Sequence, residues 1–368
     1  MRIVIYLPQL ESFGGVELNM LETMRALAAR GHRISLFYER DGNLTGEFGS
    51  FCESLHRGPS PLYSEAPLRD APRIAGRILA AGRRRPDVIF ANNISELAWA
   101  AGVRALTRAP IVCHLHEFKQ VRRSSMALLT RRVNRFILSS GYMRRAWTNH
   151  GLDGSRIEVV HPGLSHAAYP HGSEIDRLRY RQELGLPEAA YIVVYMGRLI
   201  PEKGVDILLD AWRALALPPD QARLVLVGMP QETDDYIEGL LALAPPGCEW
   251  LPMQREVLPM LQASDVLVLP SRWDEPFGRV LVEAMATGRP AVGAAVGGIP
   301  EILRGEFSRL LFPRGDSAAL AERLRALQNW RRDDPALAAH CAHHVAENFS
   351  LTAYVNVLEQ VFSSAVAG

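Results

Sequence analysis

The stretch Asp265–Ile302, DVLVLPSRWDEPFGRVLVEAMATGRPAVGAAVGGIPEI, decides how this 368-residue chain is read. Its opening run, Val266–Leu269, is apolar without alternation, the pattern of a strand buried on both faces of a parallel sheet. Pro270 and Ser271 stop that strand, and Arg272–Pro276 form a loop. A helical pattern starts at about Phe277, with Val280, Leu281, Ala284 and Met285 on one face, and Gly288 with Pro290 ends it. A second short strand, Ala291–Ala294, leads into a Gly297-Gly298 turn. This order puts the start of a helix at a sheet edge. Helix starts carry unpaired N–H groups and the positive end of the dipole, which suits a phosphate. Two carboxylates flank the point, Glu275 before the helix and Glu283 inside it.

The same strand–loop–helix order recurs along the chain. Arg2–Leu7 reads as a strand, Gly14-Gly15 as a loop, Val16–Ala29 as a helix closed by Gly31, and Ile34–Tyr38 as the next strand. That is a βαβ unit with a Gly-rich first turn. The loop is long and lacks Gly-x-Gly-x-x-Gly, which disfavours an NAD-dependent oxidoreductase. Asn43–Pro72, rich in Gly, Pro, Ser and charge, is predicted to be irregular. Helices over Ile74–Arg84 and Ser95–Leu106 alternate with strands Val88–Ala91 and Ile111–Leu115. The last strand ends at His116-Glu117, and polar residues at such an edge point into the ligand crevice of a parallel sheet. His114 is a competing candidate. A strand at Ile157–Val160 is the last of a first domain placed at residues 1–173.

Ser165–Pro187 is predicted to cross into a second domain, residues 174–350, which restarts with strand Tyr191–Gly197. The text Gly197-Arg198-Leu199-Ile200-Pro201-Glu202-Lys203-Gly204 and a helix, Val205–Leu215, follow. Arg198 supplies a planar fork of donors and Lys203 a compact charge, so the two can grip a diphosphate from both sides of the turn. Strands Leu224–Val227 and Trp250–Met253 and helices Leu258–Ala263 and Ala318–Trp330 fill the domain. A last helix, Thr352–Phe362, follows Asn348-Phe349-Ser350.

Composition bounds the function. Cys52, Cys113, Cys248 and Cys341 form no Cys-x-x-Cys pair, which argues against a zinc site or disulfide framework and fits a reducing compartment. Met1–Leu7 reads as a first strand, not a signal peptide, and no apolar stretch reaches the ~18 residues of a membrane span. Residues 1–173 carry 23 Lys+Arg against 14 Asp+Glu; of the totals 41 and 40, the remainder holds 18 against 26. A first half at +9 and a second at −8 suggests an anionic partner for the first. Its arginines cluster at Arg83–Arg85, Arg122-Arg123, Arg131-Arg132 and Arg144-Arg145 without interleaved aromatics, so no nucleic-acid partner is expected. A solvated face is one reading of these clusters. A peripheral contact with anionic lipid or a phosphorylated acceptor is the other.

Pro270-Ser271, Glu275, Phe277-Gly278, Glu283-Ala284-Met285, Gly288, Pro290 and Gly297-Gly298 together resemble the glutamate–seven residues–glutamate signature of the retaining glycosyltransferases of family 4, which have the GT-B fold. Gly14-Gly15-Val16-Glu17 with Arg30-Gly31-His32, the strand ending at His116-Glu117, and Gly197-Arg198-Leu199 with Lys203-Gly204 resemble that family's other motifs in the same order. The resemblance implies an α/β, GT-B architecture, two Rossmann-like doubly wound domains facing a central cleft. It implies Val133–Ser140 and Gly141–His150 as a strand and the helix after it, and a last helix, in the segment 351–368, that crosses back to join the first domain. It implies that amides at Gly14 and Gly15 face the donor's diphosphate and that His116 approaches the transferred sugar. Arg198, Lys203 and the groups at Phe277, Gly278, Arg279 and Val280 would hold the pyrophosphate, Glu275 the sugar hydroxyls, Glu283 the ribose, and Met253 with Gln254 the base. The expected reaction moves a hexose-type sugar with retention from a nucleoside-diphosphate sugar, with UDP favoured and GDP the alternative, to an unidentified acceptor, a glycan, glycolipid or small natural product. No Asp-x-Asp pattern occurs, so no metal or further cofactor is expected, and the protein is expected in the cytoplasm, with peripheral contact at the inner membrane face. His161-Pro162-Gly163 departs from the family's Asn-Gly-Val-Asp, and Leu351 stands where Trp is common. Two rival readings are a nucleotide-sugar epimerase on the same scaffold and a catalytically silent membrane-binding module.

Overall fold

The computed structural model describes residues 1–11, 14–58, 67–118, 123–228, 234–254 and 256–368. The chain forms two compact units, Met1–Gly163 with Leu351–Gly368, and Leu164–Ser350. The first is built on seven strands: β1 (Arg2–Gln9), β2 (Arg33–Arg40), β3 (Ser54–Arg57), β4 (Val88–Ala91), β5 (Ile111–Leu115), β6 (Val133–Leu138) and β7 (Ile157–Val159). They lie in the order β3-β2-β1-β4-β5-β6-β7, every pair parallel. The side-chain alternation of β1 explains its unbroken apolar text. Ile3, Ile5 and Leu7 enter one core with Met20, Met24 and Leu27 of the helix Gly15–Ala29, while Val4 and Tyr6 enter another with Trp99 and Val103. Both faces are covered, so neither needs polar residues. The last helix, Leu351–Ala367, adds Tyr354, Leu358 and Phe362 to the first of these cores, and Phe362 meets Phe90 edge-on at 5.2 Å. A fully buried Phe of this kind contributes about 1.5–3 kcal/mol.

The second unit holds β8 (Tyr191–Met196), β9 (Ala222–Val227), β10 (Cys248–Leu251), β11 (Val266–Leu269), β12 (Ala291–Ala294) and β13 (Leu311–Phe312), ordered β10-β9-β8-β11-β12-β13 and again all parallel. In each sheet the strand order reverses once, between β1 and β4 and between β8 and β11. Loops leaving such a reversal diverge to opposite faces and open a crevice at the carboxyl ends of the strands.

The opposite end of β11 is fixed by charge. Asp265, immediately before β11, accepts from buried Arg181 Nη2 at 2.7 Å, from Ile192 N–H at 2.7 Å and from Arg331 Nε at 2.8 Å. The remaining Arg181 donors go to the carbonyls of Ala263, Pro187, Glu188 and Ala190. Nearby Arg289, pulled down to about 9 by burial, is held by the carbonyls of Ser264, Thr287 and Gln262.

Several boundaries differ from the sequence expectation. Asn43–Pro72 is not uniformly irregular: a helix, Thr45–Phe51, buries Phe48, β3 pairs at the sheet edge, and the following helix begins at Pro67 and contains Pro72. Residues 59–66 lie outside the described residues. Within the predicted crossover a helix, Glu174–Glu183, starts on a capping box of Ser173 and Asp176. The first unit ends at Gly163 because the chain beyond it bonds into the second. Leu164 N–H donates to Phe349 O at 2.7 Å, and Gly172 N–H to Thr287 O at 3.2 Å. The helix expected over Ala318–Trp330 is two, Ser317–Ala326 and Trp330–Asp333, and an unforeseen helix spans Leu337–Asn348.

Removing the Asp265 carboxylate leaves a fully buried guanidinium without its counter-charge. Asp265→Ala should lower the unfolding free energy by about 3–5 kcal/mol, read as a shift in the urea midpoint; a midpoint within error of the parent would contradict the anchoring role.

Candidate active site

In the second unit, β8 runs into Gly197-Arg198 and a 3-10 turn, Pro201–Lys203, while β11 runs into the loop 270–278. These loops approach more closely than side chains allow. A Cβ on Gly204 would lie 2.2 Å from the Pro270 carbonyl oxygen, and one on Gly228 2.0 Å from that of Gly197. Arg272 N–H donates to Glu202 O at 2.8 Å, stitching one loop to the other. On the far side Gly297 adopts φ +55°, and a Cβ there would meet Glu275 O at 2.1 Å. Gly298 N–H donates to that same oxygen at 2.7 Å. The Glu275 backbone is therefore clamped between two turns.

Its side chain is nearly buried and accepts from Lys203 Nζ at 2.6 Å and from the Ser271 hydroxyl. The ammonium also lies 5.4 Å from the centre of the Trp273 ring, a cation–π distance. Arg198 is half-buried at the end of β8, and its carbonyl accepts from Tyr195 Oη at 2.6 Å. The next helix, Arg279–Ala286, starts at Gly278 in the left-handed region, φ +110°, so the dipole end has no side-chain cap. Phe277 packs against Phe349 at 5.7 Å beneath this start. One turn in, Glu283 accepts from Arg279 Nε at 2.7 Å and from Tyr169 Oη at 3.1 Å. Val280 lies in the first turn. Met253 sits instead on the loop after the edge strand β10, 37% exposed, next to Gln254, whose amide donates to Pro252 O.

The first unit has its own polar edge. Gly14 precedes the helix that begins at Gly15; Ser12 and Phe13 lie outside the described residues. Leu7, Gln9, Glu17, Met20, Phe48 and Asn92 line a cavity there. Beyond β5, buried His116 brings Nε2 to 2.6 Å from Asn92 Oδ1. Burial holds its pKa down to about 3, so the imidazole is neutral at physiological pH. His114, the competing candidate, is fully enclosed, its ring centre 3.7 Å from that of His116, with neither nitrogen hydrogen-bonded. Glu96, 1% exposed, accepts from Asn92 N–H; burial pushes its carboxyl up to about 8, partly opposed by the N–H groups of Asn92 and Asn93.

The structure thus pairs Lys203 with Glu275 and Arg279 with Glu283, and places Arg198 and Gly278 on the same unit. It adds partners the sequence reading passed over. Asn92 ends a parallel strand, so the rule that singled out His116 applies to it equally. Tyr169 lies 114 positions from Glu283 in sequence, and nothing local signals that contact. Of the arginine clusters, Arg83–Arg85, Arg131, Arg132, Arg144 and Arg145 are exposed, while Arg122 lies outside the described residues. No helix among the described residues is long and apolar enough to cross a membrane.

Comparison with known proteins gives this geometry a class. Residues 13–168 match the family described as Glycosyltransferase Family 4, and residues 176–338 the family described as glycosyl transferases group 1. The chain belongs to the family 4, group 1 glycosyltransferases, with the two Rossmann-like domains of the GT-B fold. It is similar to D-inositol 3-phosphate glycosyltransferase of Mycolicibacterium gilvum, 28% identical over 96% of this chain and 85% of the relative. The protein of that name from Salinispora tropica is 37% identical over 59% of this chain and 48% of its own length. Among solved structures, Anabaena HepE in complex with UDP-glucose superposes with a TM-score of 0.84 at 24% identity, covering 99% of this chain and 100% of that one. Sucrose-phosphate synthase of Thermosynechococcus elongatus gives 0.80 at 22%, covering 100% and 99%.

Glu96 supplies a test of this edge by pH. Its folded pKa is raised above the ordinary 4.5, so the stabilisation is complete below 4.5 and is lost as pH rises toward about 8. Across that window the melting temperature of the parent should fall relative to that of Glu96→Gln, which does not titrate; parallel curves would contradict a proton-bearing Glu96.

Proposed function

We propose that this glycosyltransferase moves a hexose-type sugar from a nucleoside-diphosphate sugar, UDP preferred, to an acceptor hydroxyl with retention and without a metal. The observation that carries the reading is the Lys203–Glu275 pair at the β8/β11 reversal, 2.6 Å apart and almost out of water. An ammonium for phosphate stands beside a carboxylate for sugar hydroxyls, two groups that adjacent parts of one donor would engage. Family membership and the UDP-glucose complex of the similar Anabaena protein support the choice of donor. Arg198, Lys203 and the helix start from Gly278 to Val280 would neutralise the charge that develops on the departing diphosphate. Preorganised donors aimed at developing charge are a major source of rate acceleration. Glu283, bonded by Arg279 and Tyr169, is assigned to the ribose, Met253 to the base, Gly14 and Gly15 to the diphosphate, and neutral His116 to the sugar. The donor phosphate would take the acceptor proton on the face where the bond breaks. The acceptor is a glycan, glycolipid or small natural product, and the exposed arginines of the first unit would let the protein touch an anionic membrane surface from the cytoplasm.

Separate variants divide the roles. Glu275→Gln should lower kcat by about 10²–10³-fold while the nucleoside-diphosphate Kd from calorimetry stays within a few-fold; equal losses in both would remove Glu275 from the sugar. Lys203→Ala should weaken that Kd directly, by about tenfold, and an unchanged Kd would take it out of the phosphate site. Turnover should persist in excess chelator, and loss restored by Mg²⁺ would overturn the metal-free reading.

A further inference from the structure

Three buried side chains of the first unit form a line that the proposed reaction leaves unexplained. β4 ends at Ala91, and the chain turns through Asn92 and Asn93 into a 3-10 turn, Ile94–Glu96. Asn93 caps that turn by accepting from Ile94 N–H at 2.7 Å. Glu96 reaches back to accept from Asn92 N–H. Asn92, 7% exposed, then turns its amide oxygen to His116 Nε2 at 2.6 Å. An amide oxygen only accepts, so the nitrogen facing it must be the one that carries hydrogen. No hydrogen bond reaches His116 Nδ1 from any described residue, and Nδ1 is not among the buried unpartnered atoms.

We propose that Asn92, held by Glu96, is a positioning residue that locks His116 in the Nε2–H tautomer and so presents Nδ1 as a bare hydrogen-bond acceptor for a substrate hydroxyl. Neutrality of the ring agrees with this, because burial keeps its second nitrogen unprotonated. Protonated Glu96 has one carbonyl oxygen and one O–H, and the carbonyl is what Asn92 N–H needs. A glutamine offers the same carbonyl, whereas alanine offers nothing. Asn92 also lines the cavity formed with Leu7, Gln9, Glu17, Met20 and Phe48, so one residue borders both that space and the histidine. The functional half of the proposal rests on the reading that His116 takes part in transfer; the tautomer does not.

The experiment is nitrogen NMR of the full chain labelled in its histidine rings, with His116→Asn for assignment, alongside steady-state kinetics with a sugar nucleotide. In the parent, His116 should show Nε2 as the protonated nitrogen and Nδ1 as the unprotonated one. Asn92→Ala should move the two signals toward tautomer averaging and lower kcat by about tenfold, with nucleoside-diphosphate Kd within about twofold. Glu96→Ala should shift His116 in the same sense, and Glu96→Gln should restore both the parent pattern and the parent kcat. Should Glu96→Ala fail to fold, Asn92→Asp gives a second measurement, since a carboxylate at this distance should raise the His116 pKa in a pH titration. A parent spectrum with hydrogen on Nδ1, or an Asn92→Ala spectrum identical to the parent, overturns the proposal. An altered tautomer with unchanged kcat upholds the lock and removes His116 from the reaction, which is a failure of the functional reading alone.

Discussion

Backbone approach, closer than any β-carbon permits, is the constraint on which the arrangement of the second unit's polar loops depends. Gly204 lies against Pro270, Gly228 against Gly197, and Gly297 against Glu275. Each contact joins loops that leave different strands, so the three glycines bring separate connections into one closely packed rim. Hydrogen bonds then fill the space that side chains have vacated, from Arg272 to Glu202 and from Gly298 to Glu275. Glu275 and Lys203 meet because their backbones have been brought together first. A side chain at any of these glycines would have to spread the rim, which costs packing as well as geometry.

The ends of the central strands divide the labour. Asp265, before β11, binds two arginines and a backbone amide and fixes where the strand begins. Glu275, after the same strand, is held by one lysine and one hydroxyl, also largely out of water. A buried carboxylate saturated by several fixed donors is an anchor, whereas Glu275 has one cation and one hydroxyl as its side-chain partners. The same contrast runs through the arginines. Arg181 and Arg289 spend most of their donors on carbonyls inside the fold, while Arg198 stands half-buried at the loop after β8.

Most of this fold was legible because parallel sheets covered on both faces write themselves as unbroken apolar runs, and β1, β4, β8, β9 and β11 hold such text. β8 and β11, every residue buried, are the clearest cases. The helix Leu337–Asn348 escaped notice because it buries only Leu337, Cys341 and Val345, a one-residue-wide stripe among polar neighbours. β3 was hidden for a related reason, being a half-buried edge strand with Ser and His in its text. The site residues on one strand–loop–helix passage could be read together, since motif order preserves their neighbourhood. Tyr169, the partner of Glu283 supplied from afar, depends on tertiary packing and leaves no local mark, whereas Asn92, the partner of His116, was marked only by its place at the end of β4.

The division of the first unit between the two ends of the chain bears on how the protein comes to be made. Residues 164–350 are contiguous and own a complete core. The earlier-synthesised unit lacks Tyr354, Leu358 and Phe362 until the last helix leaves the ribosome. During translation the middle of the polypeptide can therefore reach its final form while the beginning waits, with one apolar face of its sheet incompletely covered. That reverses the usual N-to-C order in which domains mature, and it makes the emerging first sheet the part of this molecule that most needs protection from its neighbours.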